Sequence, residues 1–177
     1  MHSSMPRIEP LDAVPAADAS NPMGQLNIFR TLAKHPKMFE AFGRLGGFLL
    51  SGKGFPPRER ELVILRTGWR SGSVYEWGQH VVIGRREGVT DEEITRLRTP
   101  GLDGWSPEDR VLVQFADELC QTNTVSDATW TAMAARFSET ELIEVTMLVG
   151  FYRLVAGTLN TLGIELDPGV PGWEAGA

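Results

Sequence analysis

Hydrophobic residues recur at intervals of three and four through the middle of the chain, and residues that start or stop helices separate the hydrophobic segments. The Pro56-Pro57 pair opens a predicted helix over residues 57–71, which Gly72 closes, and a second helix is predicted over 74–87. Further helix starts are predicted at the capping residues Thr90, Ser106, Ser126 and Ser138. No alternating segment bounded by hairpin turns competes with these signals. The sequence therefore predicts an all-α domain of about seven or eight helices.

Proline and glycine are concentrated at the two ends of the chain. Residues 1–22 contain four prolines and little hydrophobic periodicity, and residues 167–177 contain two prolines and three glycines. Both segments are predicted to be irregular, and residues 23–166 to form a single helical domain. The longest apolar stretch, from Leu142 to Leu162, is interrupted by charged and polar residues, which favours a buried helix over a membrane span.

The charge balance disfavours nucleic acid as a partner. Seventeen Lys and Arg against 23 Asp and Glu give the 177 residues a net charge of −6, opposite in sign to a phosphate-binding surface. Cys120 is the only cysteine, so an intramolecular disulfide framework and a multi-cysteine zinc site are both excluded. The N-terminal residues contain no apolar run of signal-peptide length. We therefore expect a cytoplasmic protein with neither a membrane nor a nucleic-acid partner.

A glutamate lies on the apolar side of the first predicted helix. At about 100° per residue, Glu61 falls within the arc that contains Ile64 and Leu65. A carboxylate that faces a core loses hydration and either finds a cation or takes up a proton, which is the setting of a general acid or base. The alternative is a glutamate at the edge of the arc that snorkels towards solvent or forms a structural ion pair with an arginine. Arg58, Arg60 and Arg70 are expected on the flanks and the solvated side of this helix.

The next predicted helix carries a polar stripe that contains Ser73, Glu76, Trp77 and His80. Glu76 and His80 are one turn apart, so Glu76 is close enough to orient the imidazole. Histidine is the side chain whose proton moves near neutral pH, and Gly84, one turn further on, would leave room for a ligand. The alternative for His80 is a core histidine with satisfied hydrogen bonds. Two adjacent helices that both aim a titratable group inward favour a functional site.

Several other side chains are candidates for substrate binding. Ser73 belongs to the polar stripe described above, and the aromatic Tyr75 and Trp77 could either line a pocket or fill the core. Tyr152 and Asn160 share one face of the last helix, where they would contact a ligand or neighbouring polar groups. A further candidate, on the first helix, is Arg66, which could stabilise a negative charge that develops on a substrate.

Three segments of the sequence together resemble the carboxymuconolactone decarboxylase and alkylhydroperoxidase D-like superfamily. They are Arg60–Leu65, the segment Tyr-Glu-Trp-Gly-Gln-His that ends at His80, and the segment Gly-Val-Thr-Asp-Glu-Glu-Ile that begins at Gly88. The resemblance covers residues 56–97 and extends, with less similarity, to about residue 166. It implies an all-α fold, assembly into trimers or trimer-based hexamers, and a pocket near these helices, often at a subunit boundary.

The resemblance also separates two kinds of chemistry. The peroxidase branch of the superfamily carries two cysteines between its glutamate and its histidine, and this chain has Ser73 and Glu76 at those positions. Thiol-based peroxide reduction is therefore chemically unavailable there. The decarboxylase branch lacks the cysteines and is similar in having an acid/base site without an organic cofactor. By this resemblance, Glu61 and His80 match the motif glutamate and the motif histidine.

The leading prediction is a cofactor-independent lyase or isomerase that acts on a small organic acid or carbonyl compound. His80 would move a proton to or from carbon, Glu76 would hold the imidazole, and Glu61 would act as the second acid or base. One alternative is a non-catalytic, oligomeric protein that binds a small molecule. We assign no metal ligand, and a divalent ion held by the same three side chains is the third hypothesis. The nearly all-round apolar last helix also predicts a homo-oligomer.

Overall fold

Eight α-helices and no strand make up the part of the chain that the structure, a computed structural model, describes, namely residues 6–14, 22–51 and 54–175. In chain order they are α1 (Asn27–Leu32), α2 (Pro36–Leu50), α3 (Pro57–Arg70), α4 (Val74–Arg86), α5 (Asp91–Leu97), α6 (Pro107–Thr122), α7 (Asp127–Ala134) and α8 (Glu139–Leu162). A short 3₁₀ turn, Pro22–Gln25, precedes α1. The all-α prediction is confirmed.

The helix boundaries follow from the capping residues in the sequence. Thr90 and Ser138 form capping boxes, in which the cap hydroxyl accepts a backbone N–H and a glutamate three residues later accepts the N–H of the cap. Ser106 and Ser126 cap α6 and α7 through their hydroxyl groups. Gly72, with φ of 61°, closes the turn between α3 and α4 in the left-handed region that glycine adopts without strain. All four predicted helix starts are therefore confirmed.

Helix α3 lies at the centre of the fold, where it packs against α4, α5, α6 and α8. Every residue from Arg60 to Gly68 is buried, so this part of α3 has no solvated face. The expectation that Arg60 lies on a solvated flank is wrong, because its exposed fraction is only 4%. A helix enclosed on all sides carries its polar side chains into the core, where they need polar partners.

Helix α8 is long and apolar enough, by length and composition alone, to cross a membrane. However, 56% of its most apolar stretch is buried inside the fold, chiefly against α3, as in the core helix of a helical domain. Three apolar side chains of α8, Ile143, Met147 and Leu154, are exposed. This exposed side is where we expect the predicted oligomer contact, which stays a prediction.

The irregular terminal segments lie on the helical domain where the structure describes them. The backbone N–H of Arg7 donates to the carbonyl oxygen of Leu162 at 2.8 Å. Near the C-terminus, Trp173 packs against Trp69 and Trp77, with ring centroids 5.1 and 5.9 Å apart. Residues 1–5 and 15–21 of the predicted N-terminal arm, and the last two residues of the chain, lie outside the described residues.

Close packing of the C-terminal segment depends on Gly78 in α4. A Cβ atom at this position would lie 2.1 Å from the backbone oxygen of Pro171 and 2.8 Å from Cγ1 of Val170, closer than real contacts allow. Gly78→Ala is therefore expected to displace the segment and to lower the free energy of unfolding by about 1–3 kcal/mol. Urea unfolding, followed by tryptophan fluorescence, measures the change. In the matched control Gly150→Ala, the new Cβ meets nothing within 4 Å, and equal stability of the two variants would contradict the prediction.

Candidate active site

Two glycines allow α3 and α4 to approach closely. A Cβ atom at Gly68 would lie 3.2 Å from Cβ of Glu76, and one at Gly84 would lie 3.6 Å from Cβ of Glu61. Gly84 therefore makes room for α3 and not for a ligand, which corrects the expectation from the sequence. The close approach of the two helices is what brings Glu61 within reach of His80.

Glu61 and His80 form a buried hydrogen-bonded pair. His80 Nδ1 and Glu61 Oε2 are 2.7 Å apart, and the two residues are 5% and 0% exposed. The other carboxylate oxygen of Glu61 accepts a hydrogen bond from Nε of Arg60 at 3.0 Å. The sequence left open whether Glu61 pairs with an arginine or serves a site, and the structure shows it bonded to both Arg60 and His80. Since Nδ1 is engaged, the ring is held in place while Nε2 faces away from Glu61.

The electrostatics of this pair favour an ionised carboxylate beside a protonated imidazole. Burial alone would raise the pKa of Glu61, but the charge and hydrogen bond of His80, together with Arg60, outweigh burial and lower it. Burial alone would lower the pKa of His80, but the carboxylate of Glu61 outweighs burial and raises it. His80 therefore stays cationic to a higher pH than an ordinary histidine, with Nε2 as a hydrogen-bond donor.

Glu76 lies on the other side of the imidazole. Its Oε2 atom is 3.7 Å from Nε2 of His80, too far for a hydrogen bond, and this buried oxygen has no hydrogen-bond partner among the described residues. Burial raises the pKa of Glu76 to about 7, with the charge of Glu61 adding to the rise and that of His80 opposing it. The sequence analysis assigned the orienting role to Glu76, whereas the geometry gives the hydrogen bond to Glu61 and leaves the Glu76 carboxyl group free.

A cavity of about 260 Å³ opens beside Glu76 and His80, between α1, α2, α4 and α8. The polar residues that line it are Tyr75, Glu76, Gln79, His80 and Tyr152. The rest of the lining is apolar and includes Phe29, Phe42, Leu50, Ile83, Phe151 and Val155. The ring of Tyr152 meets the ring of His80 edge-on, with centroids 4.9 Å apart. A buried imidazole, a carboxyl group and a phenol thus face a largely apolar space, which is how ligand sites are commonly built.

Tyr75 and Tyr152 line the cavity, and their role in substrate binding stays a prediction. The hydroxyl group of Tyr75 donates a hydrogen bond to the carboxylate of Asp167, which also accepts a bond from Nε2 of Gln79 at 2.7 Å. Asp167 belongs to the C-terminal segment, so the sequence analysis did not connect it with the site. Its buried carboxylate positions two side chains of the cavity wall.

Two of the predicted substrate-binding residues, Ser73 and Asn160, serve helix ends and do not line the cavity. Ser73 is the N-cap of α4, where its hydroxyl group accepts the backbone N–H of Glu76. Nδ2 of Asn160 donates to the carbonyl oxygen of Ser71 at 3.1 Å, just beyond the C-terminal end of α3. Polar side chains on apolar helix faces commonly satisfy backbone groups in this way.

Trp77 and Arg66, also predicted to bind substrate, belong to the core instead of the cavity wall. Trp77 is fully buried and packs on Trp173. Arg66 forms a two-pronged ion pair with Asp117 on α6, with nitrogen–oxygen distances of 2.6 and 2.8 Å. Two further N–H groups donate to the backbone carbonyl oxygens of Leu97 and Thr99, so four of the five donors of the guanidinium are engaged away from the cavity.

The wall supplied by α2 was missed in the sequence analysis. Phe42, Gly43, Gly46, Gly47 and Leu50 of this helix line the cavity. The available signal was the spacing of Gly46 and Gly47 at three and four residues after Gly43, which places small residues on one helix face. The sequence does not show what that face packs against, because the contact is made with segments far along the chain.

No cysteine is among the described residues that line this cavity, so the lining offers no thiol group. Cys120 lies on α6, outside the cavity lining, and burial raises the pKa of its thiol. Within residues 6–14, 22–51 and 54–175, no group of three or more His, Cys, Asp or Glu side chains is arranged to hold a metal ion. The hypothesis of a metal held by Glu61, Glu76 and His80 therefore has no support from the geometry.

Neutralising Glu76 is expected to change how stability depends on pH. The folded-state pKa of about 7 lies above the ordinary value of 4.5, so the stability that Glu76 contributes is present below about pH 4.5 and is lost as the pH rises through about 7. Glu76→Gln cannot lose a proton. Relative to the wild type, this variant should gain up to about 3 kcal/mol of stability between about pH 5 and 8.

Urea unfolding of both proteins across this pH range tests the prediction. The matched control is Glu92→Gln, because Glu92 is exposed on α5. Its stability should differ from that of the wild type by about the same small amount at every pH. Parallel pH curves for Glu76→Gln and the wild type would show that Glu76 is not a perturbed acid.

Comparison with known proteins supports the same fold. Residues 36–118 match the carboxymuconolactone decarboxylase family. The structure is similar to that of an alkylhydroperoxidase AhpD core, an uncharacterized peroxidase-related protein from Ralstonia eutropha, with a TM-score of 0.74 and 22% identity over 83% of this chain and 80% of that chain. A peroxidase-related protein from a Silicibacter species has a TM-score of 0.75 and 15% identity, over 90% of this chain and 92% of that one.

A third similar structure is that of the debrominase Bmp8 in complex with 2,3,4-tribromopyrrole, with a TM-score of 0.67 and 16% identity, over 78% of this chain and 75% of that chain. No curated protein sequence matches the chain. The family match includes Glu61, Glu76 and His80, and the similar structures share the helical fold. Residues 36–118 thus resemble the carboxymuconolactone decarboxylase family, and the chain shares the helical fold of the alkylhydroperoxidase D-like structures.

Proposed function

We propose that this protein is an acid/base enzyme, a lyase or isomerase that needs no organic cofactor and moves a proton on a small carbonyl compound. The observation that carries the proposal is the free Oε2 atom of Glu76, buried beside the cavity and 3.7 Å from Nε2 of His80. A buried carboxyl group with a pKa of about 7 is matched to proton transfer near neutral pH.

In this proposal, His80 is the acid and Glu76 is the base. The Nε2–H group of His80, held by Glu61, donates a hydrogen bond to the carbonyl oxygen of the substrate. The carboxylate of Glu76 removes a proton from the adjacent carbon, and the electron pair of the C–H bond forms an enolate whose charge lies on the oxygen next to His80. The hydroxyl group of Tyr152, whose pKa burial raises, is a second donor to that oxygen.

The enolate can then react in two ways. Where a carbon–carbon double bond adjoins the carbon that loses its proton, the enolate extends over that bond, and return of the proton from Glu76 to the far carbon gives an isomer. Alternatively, the enolate arises when a carboxylate leaves as carbon dioxide; the electrons of the broken C–C bond form the enolate, and Glu76 in its acid form protonates the carbon. Both routes use the same two side chains and differ only in the group that leaves the carbon.

The relatives support catalysis on this fold without defining the reaction. The debrominase is an enzyme that was solved with a small ring compound, and two other similar structures are described as peroxidase-related. A thiol mechanism does not transfer to this chain, because Ser73 and Glu76 stand at the positions of the peroxidase cysteines and Cys120 lies outside the cavity lining.

Hydrogen–deuterium exchange at carbon tests the proposal. The purified protein is incubated in D₂O with a panel of cyclic ketones and β-keto acids, and ¹H NMR follows exchange next to the carbonyl group and loss of carbon dioxide. We expect at least one compound to react faster than in buffer. Absence of any protein-dependent exchange or decarboxylation across the panel would refute the acid/base function.

The second candidate is a protein that binds a small molecule without transforming it. The largely apolar lining of the cavity supports this alternative, since burial of apolar ligand surface is enough for binding. The same panel separates the two functions. Compounds that bind to the protein but neither exchange nor decarboxylate would favour the binding protein over the enzyme.

A further inference from the structure

The lining of the cavity limits the charge that a ligand can carry. Among the described residues, no lysine or arginine lines it, and its charged groups are His80, already paired with Glu61, and Glu76. A carboxylate placed against the apolar wall would lose its hydration without gaining a cation. The polar end formed by Glu76, His80 and Tyr152 can therefore serve one carbonyl or enolate oxygen, but no described residue serves a second charged group.

The shape of the cavity favours a ring. Its volume is about 260 Å³, and an apolar cavity of about 150 Å³ is enough to bind benzene. Aromatic side chains from three helices, Phe29, Phe42 and Phe151, form part of the wall, and aromatic rings stack well on flat ligands. On the α2 side the wall is made of Gly43, Gly46 and Gly47, which leave space where larger residues would fill the cavity.

Resting on the proton-transfer route of the proposed function, we infer that the substrate is a small, uncharged ring compound with a single carbonyl group, so that decarboxylation is not its reaction, and that the glycine wall of α2 makes room for the ring. The carbonyl oxygen lies at the end formed by His80, Glu76 and Tyr152. The ring lies against the phenylalanines, and its far edge points towards Gly43 and Gly47. A compound with a carboxylate on the ring is rejected, because no described cation lines the rest of the cavity and the polar groups of Tyr75 and Gln79 are bonded to Asp167.

Three probes that differ in one property at a time test this inference by calorimetric titration at about pH 7. Acetophenone is an uncharged ring ketone, 4-acetylbenzoate adds one carboxylate, and 2-octanone has the same number of heavy atoms as acetophenone in a flexible chain. We expect acetophenone to bind, and each of the other probes to bind at least tenfold more weakly. The charged probe loses hydration, and the chain loses conformational freedom.

Any other ranking overturns the inference. If 4-acetylbenzoate binds as tightly as acetophenone, the limit on charge is wrong; if 2-octanone does, the preference for a ring is wrong. Failure of acetophenone to bind would refute the substrate class as a whole.

Substitutions at glycine locate the ring. A Cβ atom at Gly47 meets nothing within 4 Å, so the backbone accepts Gly47→Leu while the new side chain takes up space at the cavity. Acetophenone affinity should fall at least tenfold. Gly150 on α8 also meets nothing within 4 Å and does not line the cavity, so Gly150→Leu should bind acetophenone like the wild type. Equal affinities of the two variants would contradict the assignment of the glycine wall.

These experiments can refute the proposed enzyme and the proposed ligand class independently of each other. If acetophenone binds as expected but no compound exchanges deuterium or loses carbon dioxide, the proposed enzyme is refuted and the ligand class stands. If ketones exchange deuterium but the charged probe binds as well as the neutral one, the proposed enzyme stands and the inference about its substrate fails.

Discussion

Replacing His80 with asparagine is expected to lower the rate of deuterium exchange at a reactive ketone by about 100- to 10,000-fold, the usual contribution of a positioned acid or base. The imidazole lies between the two carboxyl groups, with Nδ1 2.7 Å from Oε2 of Glu61 and Nε2 3.7 Å from Oε2 of Glu76. Asparagine keeps a polar side chain in the pocket but cannot carry the positive charge that stabilises an enolate oxygen. NMR in D₂O measures the rate, and circular dichroism checks that the fold is kept.

The chain offers a matched control for this variant. His35 is exposed, and its side chain caps α2 by accepting the backbone N–H of Met38. Asparagine is a good cap, so His35→Asn should keep both the fold and the rate. Wild-type exchange in His80→Asn would remove His80 from the reaction, whereas equal losses in the two variants would show that the effect is not specific to the site.

Replacing Arg66 with methionine is expected to destabilise the protein by about 3–5 kcal/mol, because the change breaks a buried ion pair and leaves its partner in the core. Arg66 is fully buried and bonded through both prongs to Asp117, and it also ties α3 to the end of α5 through the carbonyl oxygen of Leu97. Arg70 Nε, 3.1 Å from Asp117, keeps a single contact with the orphaned carboxylate. Urea unfolding followed by circular dichroism gives the free energy.

Arg110→Met is the control for the loss of a positive charge. Arg110 lies exposed on α6, and such substitutions usually change stability by less than about 0.5 kcal/mol. Similar stabilities of the Arg66 and Arg110 variants would mean that the buried pair contributes little. Where the Arg66 variant is folded, its rate of exchange should match that of the wild type, because Arg66 does not line the cavity.

The positions of Glu61 and His80 on inward-facing helix surfaces could be predicted from the sequence because their signal is local. Glu61 and His80 each fall among apolar residues at helical spacing, and the capping residues and Gly72 mark the helices that carry them. Which carboxylate holds the imidazole could not be anticipated. Spacing along α4 predicts Glu76, one turn from His80, as the partner of the imidazole. The carboxylate that bonds to Nδ1 instead comes from Glu61 on α3, and spacing along one helix does not reveal such a contact.

The wrong expectations share a different cause. Four side chains were predicted to face solvent or a ligand but instead contact distant segments of the chain. They are Arg60, Arg66, Trp77 and Asn160. Helix α3 packs against four other helices, so it is not an amphipathic helix with one side in solvent, as the sequence pattern assumed. The C-terminal segment also packs on α4, where Asp167 bonds to Tyr75 and Trp173 packs on Trp77. These residues are far apart in the sequence, so local patterns do not reveal the contacts.

By itself, the sequence determined the helical class, the starts of the helices and the presence of two titratable side chains on apolar faces, since capping and helical periodicity act within a few residues. The tertiary structure alone decided that Glu61 rather than Glu76 binds the imidazole, that a glycine face of α2 closes the cavity, and that Arg66 belongs to the core. These outcomes depend on contacts between distant segments, and the packing of whole helices sets those contacts.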